Sequence, residues 1–190
     1  MSTTGESHPT TSLIFSTRYY ASYHPYFPIL PDKHEFLAEY GSNRLLLWTI
    51  LAIASKGRED IPSVYDSLVE PVRRLASDLY SPQSRSLKTM QALLLLCVWP
   101  FPYQQSINDP SPMYCSLATH IGYQLGLHRP MRKSDFDETA VTARVVTVTE
   151  RKTWYGCFIA NQRYACPPLH DHQKRWMRSQ ILADRKSVLR

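Results

Sequence analysis

The distribution of proline is the feature that most constrains how this chain can fold. Its 190 residues include 14 prolines and only 6 glycines. An internal proline removes a helical hydrogen bond and clashes with a carbonyl, so helices tend to begin or end close to prolines. The scarcity of glycine disfavours tight hairpins and phosphate-binding loops. The chain is therefore predicted to form helices joined by stiff, proline-rich connections.

Apolar residues between the prolines recur at helical spacing, and suitable capping residues precede several of these segments. The predicted helices lie at 13–23, 32–40, 44–55, 62–80, 87–98, 109–125 and 150–163. The first two are short. No convincing sheet is indicated, although residues 141–148 would suit a strand by β-propensity alone. The predicted fold class is all-α, an irregular bundle of about six helices with proline-rich connections.

The position of each helix within the bundle can be predicted in part. The 44–55 helix is apolar on nearly every side, which predicts a place in the middle of the bundle. Pro71 should kink or split the 62–80 helix. The aromatic residues of the 13–31 arm are expected to pack their rings on the body.

Three helix ends carry recognisable signals. Asp109 is a good N-cap residue with a proline directly after it. Thr147 and Glu150 have the spacing of a capping box. Gly126 fits the left-handed residue that closes a helix.

Charge is concentrated at the carboxyl end of the chain. The net charge is +6, and residues 170–190 contribute +4 of it through six basic and two acidic residues. The remaining body is not basic enough to coat a phosphate backbone. The tail is interpreted as a solvated basic end, with a nuclear-import or weak nucleic-acid patch as the alternative.

A basic pair beside aromatic residues is a second candidate for nucleic-acid contact. Arg151 and Lys152 precede Trp154 and Tyr155, an arrangement that could clamp and stack on bases. The favoured interpretation is that the basic pair lies at the solvated start of a helix whose rings face inward, since large aromatic residues mostly serve cores.

The cysteines and histidines do not form a recognisable catalytic or metal motif. Cys97, Cys115, Cys157 and Cys166 include no C-x-x-C pair and are interpreted as small buried residues in a reducing compartment. We therefore assign no catalytic, cofactor-binding or metal-binding residue and expect a protein that is not an enzyme.

An alternative function uses the histidines. His170 and His172 alternate as metal ligands do in an extended strand, but no third or fourth ligand is evident nearby. Together with His120 and His128, they define the alternative, a small helical metal-dependent hydrolase.

The amino-terminal residues and the apolar stretches indicate in which cellular compartment the protein is found. Residues 1–12 are polar, are predicted to be disordered, and lack the pattern of a secretory signal. The longest apolar stretches are too short to cross a bilayer, so no membrane partner is expected. These features favour the cytoplasm or the nucleus.

Three stretches in a fixed order resemble one protein family. They are 86–100 (SLKTMQALLLLCVWP), 113–118 (MYCSLA) continuing to 125–130 (LGLHRP), and 150–158 (ERKTWYGCF). This order is similar to the middle homology region of fungal zinc-cluster transcription factors. That region is also described as the fungal-specific or xylanolytic-activator-type regulatory region. The branch that regulates leucine biosynthesis or secreted proteases is the most similar. The resemblance covers about residues 13–165.

The resemblance implies an α-helical regulatory domain that acts in the nucleus on RNA polymerase II transcription. It implies co-regulators or a second copy as partners, a small-molecule effector, and no catalytic residues. In this family a six-cysteine zinc cluster contacts DNA. The four dispersed cysteines here cannot build one, so zinc and DNA contact belong to a missing head. The expected organisation is a leader at 1–12, a regulatory domain at 13–165, expected to be truncated, and a basic tail at 166–190.

Overall fold

The computed structural model describes residues 8–39, 43–57, 62–79, 85–103, 108–129 and 147–165. Every regular element within these ranges is helical, which confirms the all-α prediction. The α-helices are α1 (His8–Ser22), α2 (Lys33–Ala38), α3 (Arg44–Ser55), α4 (Pro62–Ser77), α5 (Leu87–Val98), α6 (Ser111–Gln124) and α7 (Val148–Ala165). A short 3-10 turn, His24–Tyr26, follows α1.

Helix α5 forms the centre of the bundle. Its ten consecutive residues from Thr89 to Val98 are all buried. Helix α3 packs on α5 from one direction, while α6 and α7 pack on it from another. Because an apolar helix with neighbours on several sides has no solvated face, α5 tolerates its run of four leucines.

Helix α3 has three helical neighbours, as its predicted place within the bundle requires, but it is not buried on every side. Its residues Leu47, Trp48 and Leu51 are only partly buried. The Arg44 guanidinium lies 5.4 Å from the centre of the Trp48 ring, so the outer side of α3 is covered by a cation–π contact. Helix α3 packs against α1, α4 and α5. The number of apolar residues alone could not distinguish this position from that of α5.

The amino-terminal arm packs its rings on the body, as predicted. The Tyr19, Tyr23 and Phe27 rings all lie edge-on to Trp99, with centroid distances of 6.4, 5.6 and 6.3 Å. All four side chains are buried. The first helix begins at His8, five residues before its predicted start. Residues 1–7 of the predicted leader lie outside the described residues.

Helix α4 is continuous through Pro71 rather than split there. A proline at this position cannot donate to the carbonyl of Ser67, four residues earlier. Ser67 is exposed, so water can reach the carbonyl that the proline leaves unbonded. The loss is therefore smaller than it would be on the buried side of the helix.

Two of the three predicted helix ends are confirmed. Helix α6 begins at Ser111 with Pro110 as its N-cap residue, so Asp109 lies one position earlier than predicted, although its carboxylate accepts from the Ser111 amide at 2.9 Å. The Thr147 amide donates to the Glu150 carboxylate at 2.8 Å, and the Glu150 amide donates back to the Thr147 hydroxyl at 3.1 Å. Gly126 has a φ of +73°, as a helix-closing glycine requires. Of the segment that would suit a strand, Val148 belongs to α7, and 141–146 lie outside the described residues.

Candidate interaction surface

Helix α7 approaches the body of the protein through its smallest residues. Thr153, Gly156, Cys157 and Ala160 are its deeply buried positions toward the core. A Cβ atom on Gly156 would lie only 2.6 Å from Ile29 Cγ2 and 2.9 Å from Phe27 Cζ. The backbone of α7 therefore lies directly against the amino-terminal arm, closer than any other residue would permit.

A buried polar junction fixes how α7 is rotated. The Gln91 side-chain amide donates to the Ile29 carbonyl at 3.0 Å and to the Thr153 hydroxyl at 3.1 Å. The Thr153 hydroxyl lies 2.8 Å from the Thr149 carbonyl, to which it can donate. Since unpaired polar groups are costly when buried, this junction favours one rotation of α7 against α5 and the arm.

Helices α6 and α7 run antiparallel in close contact. A Cβ atom on Gly122 would lie 2.7 Å from Trp154 Cζ3. One turn earlier on α6, the Thr119 hydroxyl lies 3.3 Å from the Cys157 thiol and accepts from the Asn161 amide at 2.9 Å. These contacts with α6 lie on a side of α7 that is adjacent to the side packed against the amino-terminal arm.

The remaining side of α7 is exposed and carries four large apolar residues. The exposed fractions are 61% for Val148, 66% for Tyr155, 62% for Phe158 and 50% for Ile159. The outer face of α7 is defined as these four residues with the exposed Arg151, Lys152 and Gln162. It contains no acidic residue.

The outward position of Tyr155 corrects the prediction that both aromatic residues of this segment face inward. Trp154 is partly buried and packs edge-on against the Tyr123 ring, with centroids 5.6 Å apart. Successive helical residues differ by about 100° in direction, so Trp154 and Tyr155 cannot both face the core. The small residues and the Thr153 junction select the inward side, which leaves Tyr155 and Phe158 outside.

The cysteines offer no accessible reactive thiol among the described residues. Cys97, Cys115 and Cys157 are free and buried. Burial raises the pKa of the Cys97 and Cys157 thiols above their ordinary value. A hydrogen bond from Cys97 lowers the pKa of Cys115, but that thiol is only 2% exposed. These positions are consistent with the predicted role as small buried residues, and Cys166 lies outside the described residues.

The histidines of the alternative function are not brought together where the structure describes them. His120 is exposed on α6. The His128 ring packs against Tyr123, with centroids 4.9 Å apart. No group of histidine, cysteine or acidic residues suited to a metal ion occurs in the described ranges. His170 and His172 lie outside those ranges, as does the whole basic tail.

Arg163 is a notable residue that the sequence analysis did not single out. It lies near the end of α7 and is only 4% exposed. Burial lowers the pKa of its guanidinium. Its Nε and Nη2 atoms have no hydrogen-bond partner within the described part of the chain. No pattern in the sequence marks it, because an arginine on a helix is normally solvated.

The chain matches the model of one known protein family. The fungal specific transcription factor domain matches residues 17–166, which is most of the chain. This chain belongs to that family. The match ends beside the last residue of α7, and it includes the arm, the central helix α5 and the whole α6–α7 pair. None of the described helices is long and apolar enough to cross a membrane.

Fungal regulators named SEF1 are similar to this family member. SEF1 of Kluyveromyces lactis is 34% identical over 146 residues, covering 76% of this chain and 13% of that protein. SEF1 of Saccharomyces cerevisiae is 35% identical over 153 residues, covering 80% and 13%. The transcriptional regulatory protein SEF1 of Candida albicans is 32% identical over 106 residues, covering 55% and 11%. The chain thus spans about an eighth of these relatives. No solved structure matches it.

The comparisons test the family that the sequence predicts, but they do not test the branch within it. They confirm the fungal specific transcription factor family. The names of the relatives do not refer to leucine biosynthesis or secreted proteases, so the likeness to that branch stays a prediction.

Proposed function

We propose that residues 13–165 form a regulatory domain that works in the nucleus by binding other proteins and that performs no catalysis. The observation that carries the proposal is the family match over 17–166 together with the exposed outer face of α7. A contiguous apolar surface of this kind is typical of a protein-binding site. In this proposal RNA polymerase II transcription is the process regulated.

The partners we propose are transcriptional co-regulators or a second copy of the chain, with a small-molecule effector as a further ligand. Contact with DNA is assigned to a zinc-cluster head and not to the domain described above.

A reporter assay tests this proposal. The full chain is fused to a heterologous DNA-binding domain that is monomeric, and reporter output is compared with that of the DNA-binding domain alone. We expect the fusion to change the output or its response to carbon and nitrogen source. Equal output under all these conditions would contradict the proposal.

A matched pair of variants assigns the effect to a surface. Phe158→Asp places a charge on the outer face of α7, and Met113→Asp places one at an equally exposed position on α6, where Met113 is 70% exposed. We expect Phe158→Asp to reduce the effect and Met113→Asp to preserve it. Equal loss in both variants would show that the outer face is not the surface used.

A further inference from the structure

A small cavity lies between α2, α3 and α5. Its lining includes Phe36 of α2, Glu39 directly after α2, Leu46 and Leu47 of α3, and Lys88 and Gln91 of α5. We propose that this cavity binds the hydroxyl end of a small neutral molecule with an apolar body. The inference rests on the proposed function in one respect, because it takes such a molecule to be the effector named there.

The orientation of the Gln91 amide is fixed by its partners. Its nitrogen donates to the Ile29 carbonyl at 3.0 Å and to the Thr153 hydroxyl at 3.1 Å. A carbonyl oxygen only accepts hydrogen bonds, so the amide nitrogen has to face Ile29 and the amide oxygen has to face away from it. Both amide hydrogens are therefore used inside the protein.

The oxygen of the same amide has no protein partner. Gln91 is only 2% exposed, and its Oε1 atom accepts no hydrogen bond from the residues that the structure describes. This oxygen is also not among the polar atoms that are fully enclosed without a partner. Because Gln91 lines the cavity, Oε1 opens into it. Leaving such an acceptor unpaired is costly, so the site favours a ligand that brings a hydrogen-bond donor.

The size and the walls of the cavity limit what can enter it. Its volume is about 30 Å³, which is room for about two water-sized groups. A terminal CH₂–OH group is of this size. Phe36 and Leu46 are buried and Leu47 is partly buried, so the carbon atoms of a ligand would contact apolar side chains. The walls therefore suit a ligand with an apolar body behind its polar end.

The charges at the cavity favour a neutral ligand. The Lys88 ammonium is bonded to the Glu39 carboxylate, and the two side chains are 35% and 61% exposed, so this pair lies at the mouth and has no net charge. A charged ligand would have to compete with the pair, and burying an unpaired charge is costly. A hydroxyl brings one donor, whereas a carboxamide brings two and an ammonium brings three. The Gln91 oxygen is a single acceptor, so a hydroxyl matches it best.

Titration of the full chain with 1-butanol, followed by NMR, tests this site. The comparison is methyl propyl ether, an isomer of 1-butanol that accepts hydrogen bonds but cannot donate one. We expect 1-butanol to shift the side-chain amide resonances of Gln91 with a dissociation constant in the millimolar range, since it has only about five heavy atoms. The ether should bind at least about fivefold more weakly, because it leaves the Gln91 oxygen unpaired.

Two tryptophan substitutions on α3 separate the cavity from the rest of the surface. Leu47→Trp fills the cavity, and Leu51→Trp makes the same change one turn later, at a partly buried residue outside the lining. We expect Leu47→Trp to abolish the shifts caused by 1-butanol and Leu51→Trp to preserve them. Should Leu47→Trp fail to fold, the comparison of alcohol and ether in the native chain decides alone.

Each other outcome overturns the inference. No shift of the Gln91 amide at any 1-butanol concentration that leaves the chain folded would mean that the cavity holds only water. Equal binding of the ether would mean that the Gln91 oxygen does not contact the ligand. Tighter binding of butyramide or butylammonium would assign the cavity to another chemical class. Because NMR measures binding directly, an inert reporter fusion would remove the proposed function and leave this site standing.

Discussion

Helices α5 and α7 both belong to the stretches that mark the family, yet the bundle uses their apolar residues in opposite ways. Helix α5 buries every residue from Thr89 to Val98, whatever its size. Helix α7 turns Thr153, Gly156, Cys157 and Ala160 toward the core, buries Glu150 and Arg163 near its two ends, and exposes Tyr155 and Phe158. Hydrophobic content therefore does not determine which side of a helix is buried. The available space and the buried hydrogen bonds decide it.

The largest expected difference between the two helices is in their contribution to stability. Leu94 of α5 is fully buried. Leu94→Ala should lower the free energy of unfolding by about 3 kcal/mol, through lost burial and the cavity left behind. Phe158→Ala on the outer face should change it by less than about 0.5 kcal/mol. Urea unfolding of the full chain at a concentration that keeps it monomeric measures both.

A decrease in the free energy of unfolding for Phe158→Ala as large as that for Leu94→Ala would contradict this difference between the two helices. It would show that Phe158 packs against the body.

A smaller effect is expected where α7 lies against the arm. An alanine normally stabilises a helix relative to glycine by about 1 kcal/mol. At Gly156 the added Cβ would meet Ile29 and Phe27, which are themselves buried and have little room to move. Gly156→Ala should therefore lower the free energy of unfolding by about 1–2 kcal/mol, since overpacking a core costs about 1–3 kcal/mol.

Gln162→Ala on the outer face is the matched control for this change. It makes a similar substitution on the same helix without any buried contact, and it should be nearly neutral. Stabilisation by Gly156→Ala would contradict the close approach of α7 to the arm.

The fold was largely predictable from local signals, and the outer face was not. Proline positions, helical periodicity and capping residues such as Thr147 act within a few residues, and they predicted the helices and several of their ends. The rotation of α7 depends on Gln91 and Ile29, which are distant in sequence. Neither carries a local signal of this contact, so Tyr155 was predicted to face inward.

The smallest expected effect is a dependence on pH. Burial, and then the charge of Lys152, lower the pKa of His24 below its ordinary value, so folding favours the neutral imidazole. The stability that this provides is present above the unfolded pKa of about 6.5 and is lost as pH falls through the lower folded pKa. The midpoint of thermal unfolding should therefore fall between pH 7 and pH 5 by more in the native chain than in His24→Gln.

The His24→Gln variant is also the control for this series. It keeps all the other histidines, so the change of its unfolding midpoint with pH shows how much of the effect does not come from His24. Identical slopes in the two proteins would mean that His24 is protonated as readily in the folded chain as in the unfolded chain.

Hydroxyl-radical footprinting of the dilute, monomeric chain tests most directly the claim that α7 packs on the body through Thr153, Gly156 and Cys157 and exposes Tyr155 and Phe158. The account predicts rapid oxidation of Tyr155 and Phe158 and strong protection of Trp99 and Phe101, which are 7% and 5% exposed. Protection of Tyr155 and Phe158 to the level of Trp99 would contradict it.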